Sequence, residues 1–369
     1  MPVNIFVHLT FGQDAANHEK KYIEGRAPDK VPYGYHHAEG EKFRLSFSKD
    51  FPEGNLFGRI RRRLLLMIGF DLIHAWRNRT EMFSADVIWT HTECEHLAIS
   101  TLLIFMPKSR RPKLIAQSVW LFDKWHTLSP LKRSCYRSLL KHADVLTVHS
   151  PENLKIMRRE VPEVEGVLML FGISQDSFPI ETIKARPTLN RQIRILSLGN
   201  DMHRDWSTLL RAFANKVDVE LRIATRNLSL ENVAGLENVN VLQPSSLQDI
   251  KELYSWADLV VVTLKHNLHA SGITVVLEAV SCGVPVICSD VGGLKAYFTN
   301  EQVCYVPVGD IDALWKSAIK LASDEKKCEE MARLAQQRLL EADLTSRGFA
   351  LRHCLLTEQL LMSDPSAII

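Results

Sequence analysis

His269-Ala270-Ser271-Gly272-Ile273-Thr274-Val275-Val276-Leu277-Glu278-Ala279-Val280-Ser281-Cys282-Gly283-Val284-Pro285-Val286-Ile287-Cys288-Ser289-Asp290-Val291-Gly292-Gly293 reads as a loop, a helix and a strand in quick succession. Just before it, residues 259–264 (Leu-Val-Val-Val-Thr-Leu) form the β-branched run of a parallel strand buried on both faces. Ser271-Gly272 opens a helix whose first amides lack partners within the helix and point toward the strand ends. Such a terminus attracts phosphate through its free donors and its dipole. Glu278 lies on this helix, within reach of a hydroxylated ligand; Gly283 and Pro285 end it, and 284–288 begins the next buried strand.

The same alternation extends in both directions. Upstream, 193–198 is a strand, Gly199-Asn200-Asp201-Met202-His203-Arg204-Asp205 a polar loop, 206–214 a helix, 219–224 and 239–242 strands, and 247–256 a helix. Downstream of Gly309-Asp310, residues 311–342 carry helical periodicity, and a last helix runs from about 347 to 362. The first half repeats the pattern. A strand at 4–9 leads into the turn Thr10-Phe11-Gly12-Gln13, where Gly12 is either a plain turn or a point at which backbone approaches a ligand. Residues 20–58 read as loops and short strands that grip an acceptor. Strands follow at 86–91, ending in His91, at 113–119, leading into a 120–126 loop with Asp123, and at 143–148 and 167–170; helices cover 97–105 and 131–141, and another opens at Ser150-Pro151-Glu152.

At 369 residues the chain exceeds what one core serves, and strand–helix alternation throughout marks doubly wound parallel sheets. The expected architecture is α/β, with two Rossmann-like domains facing across a cleft: residues 1–182, then 183–346 after an exposed junction at 179–190, with a helix over about 347–369 packing back on the first. Hydrophobic content of 46%, charged content of 24% and a net charge of +2 are those of a soluble globular protein without a global pull toward nucleic acid. Seven scattered cysteines without a C-x-x-C pair fit reduced thiols, and neither a secretory leader nor a run of roughly 18 apolar residues occurs, so a cytoplasmic location is expected. One stretch suggests a membrane partner: Arg59, Arg61, Arg62 and Arg63 precede 64–70 (Leu-Leu-Leu-Met-Ile-Gly-Phe), then Trp76 and Arg77, as one basic amphipathic helix to Arg79. It is either an interfacial helix held against anionic lipid on the inner membrane face or a core helix with solvated arginines.

The opening stretch resembles the nucleotide-sugar site of GT-B glycosyltransferases, in particular the retaining family 4 (glycosyl transferases group 1). Gly272, Glu278, Ala279, Cys282, Gly283, Pro285, Val286, Asp290, Gly292 and Gly293 match its pattern, while Ala270 replaces the family's first Glu, which holds donor-sugar hydroxyls. Leu198-Gly199-Asn200 with Arg204 resembles the family's diphosphate loop, Arg204 taking the place of a Lys and Asn200 that of an Arg; Leu253-Tyr254-Ser255-Trp256-Ala257-Asp258 and Gly309-Asp310 match as well. In the first domain the match thins to 86–91, 142–144, Ser150 and 171–173, and Ser118 stands near where the family often places a His.

The resemblance implies a UDP-, GDP- or similar nucleotide-sugar donor and no separate cofactor. Arg204, Lys265 and the amides of Gly272, Ile273 and Thr274 would neutralise the leaving diphosphate without a metal; Gly199 and Asn200 would border it, and Glu278 would accept from the ribose hydroxyls. His269 or Ser271 would contact the sugar in place of the missing carboxylate. His91 and Asp123 are candidates for contacting acceptor or sugar from the first domain, with a structural role at a strand end or loop as the alternative. The activity implied is sugar transfer to a lipid-linked or polysaccharide acceptor in bacterial exopolysaccharide or surface-glycan assembly, with retention. A nucleotide-sugar 2-epimerase and a non-catalytic nucleotide-sugar-binding partner are the alternatives.

Overall fold

A computed structural model describes residues 1–183 and 191–363. The rest of the expected 179–190 junction, residues 184–190, and the end of the expected closing segment, residues 364–369, lie outside the described residues. Two compact units are present: unit 1 comprises residues 1–21, 30–170 and from 347 on, and unit 2 comprises residues 22–29 and 171–346.

Up to residue 170 the elements are β1 (Val3–His8), α1 (Ala15–Ile23), β2 (Phe43–Phe47), α2 (Asn55–Ile68), α3 (Leu72–Arg77), α4 (Arg79–Ser84), β3 (Val87–Thr90), α5 (Glu93–Leu103), β4 (Lys113–Ser118), α6 (Pro130–Leu140), β5 (Val145–Val148), α7 (Pro151–Glu160) and β6 (Glu165–Leu168). The strands form one parallel sheet in the order β2-β1-β3-β4-β5-β6. Every residue of β3 and β5 is buried, as a sheet covered on both faces requires. Phe6, Ile88, Leu97, Leu114, Phe122 and Leu146 belong to the core of this unit.

The single helix expected from Arg59 to Arg79 is instead three helices. Gly69 ends α2 in the left-handed conformation at φ 90°, and a Cβ there would fall 2.2 Å from the Tyr136 hydroxyl oxygen. Asp71 then caps α3 by accepting from the His74 amide at 3.0 Å. Arg61 is not solvated: it is 6% exposed, paired with Glu53 and Asp71, and stacked 3.8 Å over the Phe11 ring. Residues 20–58 hold the short strand β2 among loops, as expected, and also the end of α1 and the start of α2.

Unit 2 contains β7 (Ile193–Leu198), α8 (Trp206–Phe213), β8 (Val219–Ala224), β9 (Val239–Leu242), α9 (Leu247–Trp256), β10 (Leu259–Val262), α10 (Ile273–Ser281), β11 (Val286–Ser289), β12 (Cys304–Val306), α11 (Ile311–Ala322) and α12 (Glu325–Glu341). Its parallel sheet runs β12-β11-β10-β7-β8-β9. Counted within the unit this is the order 6-5-4-1-2-3, that of a dinucleotide-binding fold. The helical run expected over 311–342 breaks at Ser323-Asp324, where Asp324 caps α12 by accepting from the Lys327 amide at 3.0 Å. The last helix, α13 (Ser346–Met362), contributes to unit 1, where the Trp89 indole donates to Thr357 Oγ1 at 3.0 Å. Among the described residues no helix is long and apolar enough to cross a membrane.

Candidate nucleotide-sugar site

In unit 2 the chain direction across the sheet reverses between β7 and β10, and open sheets of this kind bind ligands outside the strand carboxyl ends at that point. The loops after these two strands are locked together. The Asp205 amide donates to the Thr263 carbonyl at 3.0 Å and the Lys265 amide to the His203 carbonyl at 2.8 Å. Six candidates from these loops, Gly199, Arg204, Lys265, His269, Ser271 and Gly272, thus meet at one sheet edge.

Arg204 is the centre of the arrangement, being only 4% exposed. Its guanidinium lies between two glycines: a Cβ at Gly199 would stand 2.4 Å from its Nε, and one at Gly272 would stand 3.0 Å from its Nη1. Both glycines have positive φ, 130° and 80°, a conformation that further favours glycine. Among the described residues, Arg204 Nε and Nη1 have no hydrogen-bond partner. Burial pulls the pKa of this group down, against the pull of Cys288, Asp201, Tyr254 and Glu278. A buried cation with unused donors is costly unless an anion meets it, and phosphate suits a guanidinium fork.

Helix α10 starts beside that cation, with Gly272 at its N-cap. Of its first amides, that of Ile273, expected to meet phosphate, instead donates to the Ala270 carbonyl at 3.2 Å, while that of Thr274 lies in the first turn, whose amides have no acceptor within the helix. One face further along, Glu278 Oε2 accepts from the buried Tyr254 hydroxyl at 2.7 Å. Burial pushes the Glu278 carboxyl up to about 7, although Tyr254 and Arg204 both pull it down.

His269, Ser271 and Ala270 are all buried, and no carboxylate stands at position 270. One arrives from the other loop. Asp201 accepts from the Ser271 hydroxyl and from the His203 amide at 3.0 Å, and its Oδ2 lies 3.6 Å from His269 Nε2. Although burial pushes the Asp201 carboxyl up, the nearby His269 ring and hydrogen bonds from the Ser271 hydroxyl and the His203 amide hold it well below the usual carboxylate range. Asp201, His203 and His269 bring ligand atoms within 4.8 Å of one another, a spacing that could hold a metal ion. The Gly292-Gly293 turn presses on this loop: the Gly293 amide donates to the His269 carbonyl at 2.9 Å, and a Cβ at Gly292 would fall 2.2 Å from that oxygen.

Lys265 and Thr274 are exposed. Asn200 turns to the loop after β8, its Oδ1 accepting from the Arg226 amide at 2.7 Å. Reading the sequence missed Asp201 and the role of Tyr254. The tyrosine stood in a motif that was recognised, whereas an aspartate in a polar loop gives no signal before folding brings it to Ser271.

The unit 1 candidates differ among themselves. Gly12, at φ 96°, spends its amide on Asp50 Oδ2 at 2.9 Å. His91 follows β3, buried, with Nδ1 3.1 Å from the Tyr35 hydroxyl and its ring stacked under Tyr33 at 3.3 Å. Burial, reinforced by His149 and His353, pushes its pKa well below 6.5, so the imidazole is neutral. Asp123 is half-buried in the loop between β4 and α6. Glu95, not singled out in the sequence, accepts from the Thr10 hydroxyl and the Thr92 amide, and burial pushes its carboxyl to about 7.

The family described as Glycosyl transferases group 1 matches residues 181–338, which span this cluster. No curated protein matches the chain. Among solved structures, sucrose-phosphate synthase from Thermosynechococcus elongatus aligns with a TM-score of 0.74 at 18% identity, over 98% of this chain and 100% of that one. Anabaena HepE in complex with UDP-glucose aligns at 0.66 and 13% identity, over 96% and 99% of the two chains. A glycosyltransferase from Rickettsia africae aligns at 0.68 and 11% identity, over 98% and 100%. At these identities the structural likeness speaks for the fold: two Rossmann-like domains, as in GT-B proteins.

Proposed function

Residues 181–338 are a glycosyl transferases group 1 domain and the chain is a glycosyltransferase of the GT-B fold, and from this premise we propose that it transfers a sugar from a nucleoside-diphosphate donor bound at the unit 2 sheet edge. The observation that carries this reading is Arg204, a buried guanidinium with unpartnered donors set between Gly199 and Gly272 at the start of α10. The donor diphosphate lies against Arg204 and the Thr274 amide at the start of α10, which take up the charge that develops as the glycosidic bond breaks. Lys265 adds a cation at the rim. Glu278 accepts from the ribose hydroxyls, and His269 and Ser271, both tied to Asp201, face the sugar. The charge on the leaving group is met by protein groups, so the reading requires no metal and no cofactor beyond the donor. UDP is the first nucleotide to test, because HepE of the same fold was solved with UDP-glucose. Retention of anomeric configuration rests on the family resemblance.

Residues 1–182 are proposed as the acceptor half and 183–346 as the donor half, with His91 and Asp123 as acceptor-side groups. The acceptor is a lipid-linked or polysaccharide glycan of a surface-glycan pathway, met at the cytoplasmic face of a membrane. Support for the membrane comes from α2, which exposes Leu56, Phe57, Ile60, Leu64, Leu66 and Met67 beside exposed Arg59, Arg62 and Arg63.

A thermal-shift screen of UDP-, GDP- and ADP-sugars tests the donor reading. One class should raise Tm in a concentration-dependent way, as a ligand specific to the native state must. No shift with any of them would overturn the reading.

A further inference from the structure

In unit 1 a groove of about 490 Å³ lies between α3, α4 and the end of α5, lined by Trp76, Arg79, Phe83, Leu102, Phe105 and Met106, with Thr80 at its edge. Its volume is within the range of small-ligand sites, about 300–1,000 Å³. The walls are apolar and open: Trp76 is 53% exposed and Phe105 82% exposed, over a floor formed by buried Leu102. Water gains nothing from such walls, and exposed apolar surface of this kind marks a binding face.

The rim is cationic. Arg79 lies 4.1 Å over the Trp76 ring and donates to the Trp76 carbonyl at 2.8 Å, so its charge is fixed at one lip. Two and four residues past Met106 in the chain, Lys108 and Arg110 are exposed and add two positive charges to the segment that leaves the groove. Helix α3 links the groove to α2: Trp76 lines the groove, and its neighbour Arg77 holds its guanidinium 5.5 Å over the Phe57 ring of α2. An apolar slot with a positive rim, next to a basic apolar helix face, is complementary to a molecule with a hydrocarbon tail and an anionic head. A peptide helix would not call for the cations, and a soluble anion would not call for the slot.

We propose that this groove takes one hydrocarbon chain of an anionic glycerophospholipid, with the phosphate at Arg79, Lys108 and Arg110. The proposal rests on the membrane reading of α2 given above and deepens it: contact with the bilayer is not only α2 lying in the interface but also one lipid drawn into unit 1.

Two measurements on the full chain separate the proposal from that reading. The first is sedimentation with phosphatidylcholine vesicles with and without phosphatidylglycerol. The second is tryptophan fluorescence with a short-chain phosphatidylglycerol carrying brominated chains, kept below its micellar concentration so that no bilayer is present. Bromine quenches an indole on contact, and Trp76 lines the groove. The brominated lipid should quench the wild type, the larger part of that quenching should be lost in Trp76→Phe, and Thr80→Phe, which narrows the slot from an exposed position, should weaken it with all seven tryptophans present. Equal quenching in wild type and Trp76→Phe, or none in either, would overturn the groove while vesicle sedimentation left the α2 reading standing. Failure to sediment with anionic vesicles, with quenching intact, would instead remove the bilayer reading and keep the lipid site.

Discussion

The Tyr254 hydroxyl donates to Glu278 Oε2 across 2.7 Å, placing an acid that titrates at about 7 on the helix that begins at the buried Arg204. That carboxyl lies above its ordinary value of 4.5, so the neutral form suits the unliganded fold. The stability this form contributes is complete below the unfolded pKa and is lost as pH rises through about 7. Ribose hydroxyls are bound by the other form, because only the carboxylate accepts from both. Affinity for a nucleotide sugar, whose diphosphate has no titration near neutrality, should therefore rise between pH 6 and 8 (roughly the span about a pKa of 7). Titration calorimetry in buffers of different ionisation enthalpy should show proton release, and Glu278→Gln should flatten the pH profile.

Tyr254→Phe removes a hydrogen bond to a charged group, worth about 1.5–3 kcal/mol, and one pKa unit is about 1.4 kcal/mol. The midpoint of the same affinity profile should move to higher pH by about one to two units. A midpoint that stayed in place would detach Tyr254 from the titration of Glu278.

Gly292 is held at φ 66°, with the His269 carbonyl where a Cβ would go. Backbone cannot yield as a side chain can, so Gly292→Ala should strain the loop by about 1–3 kcal/mol. Calorimetry should show a lower Tm, by about 2–4 °C for each kcal/mol lost. The three atoms nearest a Cβ at Gly199, itself at φ 130°, all belong to the Arg204 side chain, and Gly199→Ala should weaken nucleotide binding more than its effect on Tm would suggest.

Leu66 and Met67, 82% and 73% exposed, are proposed to enter the membrane interface. The double change to Asp should leave Tm within about 0.5 kcal/mol of wild-type stability, as for other surface positions. It should abolish sedimentation with anionic vesicles and leave the nucleotide-induced thermal shift unchanged.

How much of this was legible before folding depends on what each residue's signal is. The run at 259–262 declared a strand because both its faces are buried, and β7, β8 and α9 have the bounds their patterns require. Helix α1 did not, since its sequence is polar and buries no residue. Arg61 read as one of four arginines facing either anionic lipid or solvent, because nothing local reveals that Glu53 and Asp71 will enclose it. Within the site, Gly272 and Glu278 stand out from the local loop–helix–strand pattern and Gly199 from the family resemblance, while Asp201 and the capture of Arg204 between two glycines depend on loops from different strands. The break at Gly69 was available in principle, as a glycine ahead of an Asp cap, but the flanking apolar residues continue the helical period across it.

The central claim is that Arg204 receives the donor diphosphate, and calorimetric titration of wild type and Arg204→Met with UDP, GDP and ADP tests it most directly. For the nucleotide that binds wild type, the variant should lose at least about tenfold in affinity, the worth of one or more hydrogen bonds to a charged group. Its unliganded Tm should hold or rise, because a buried cation with unpartnered donors has been replaced by an apolar side chain. Wild-type affinity in a folded Arg204→Met would contradict the account.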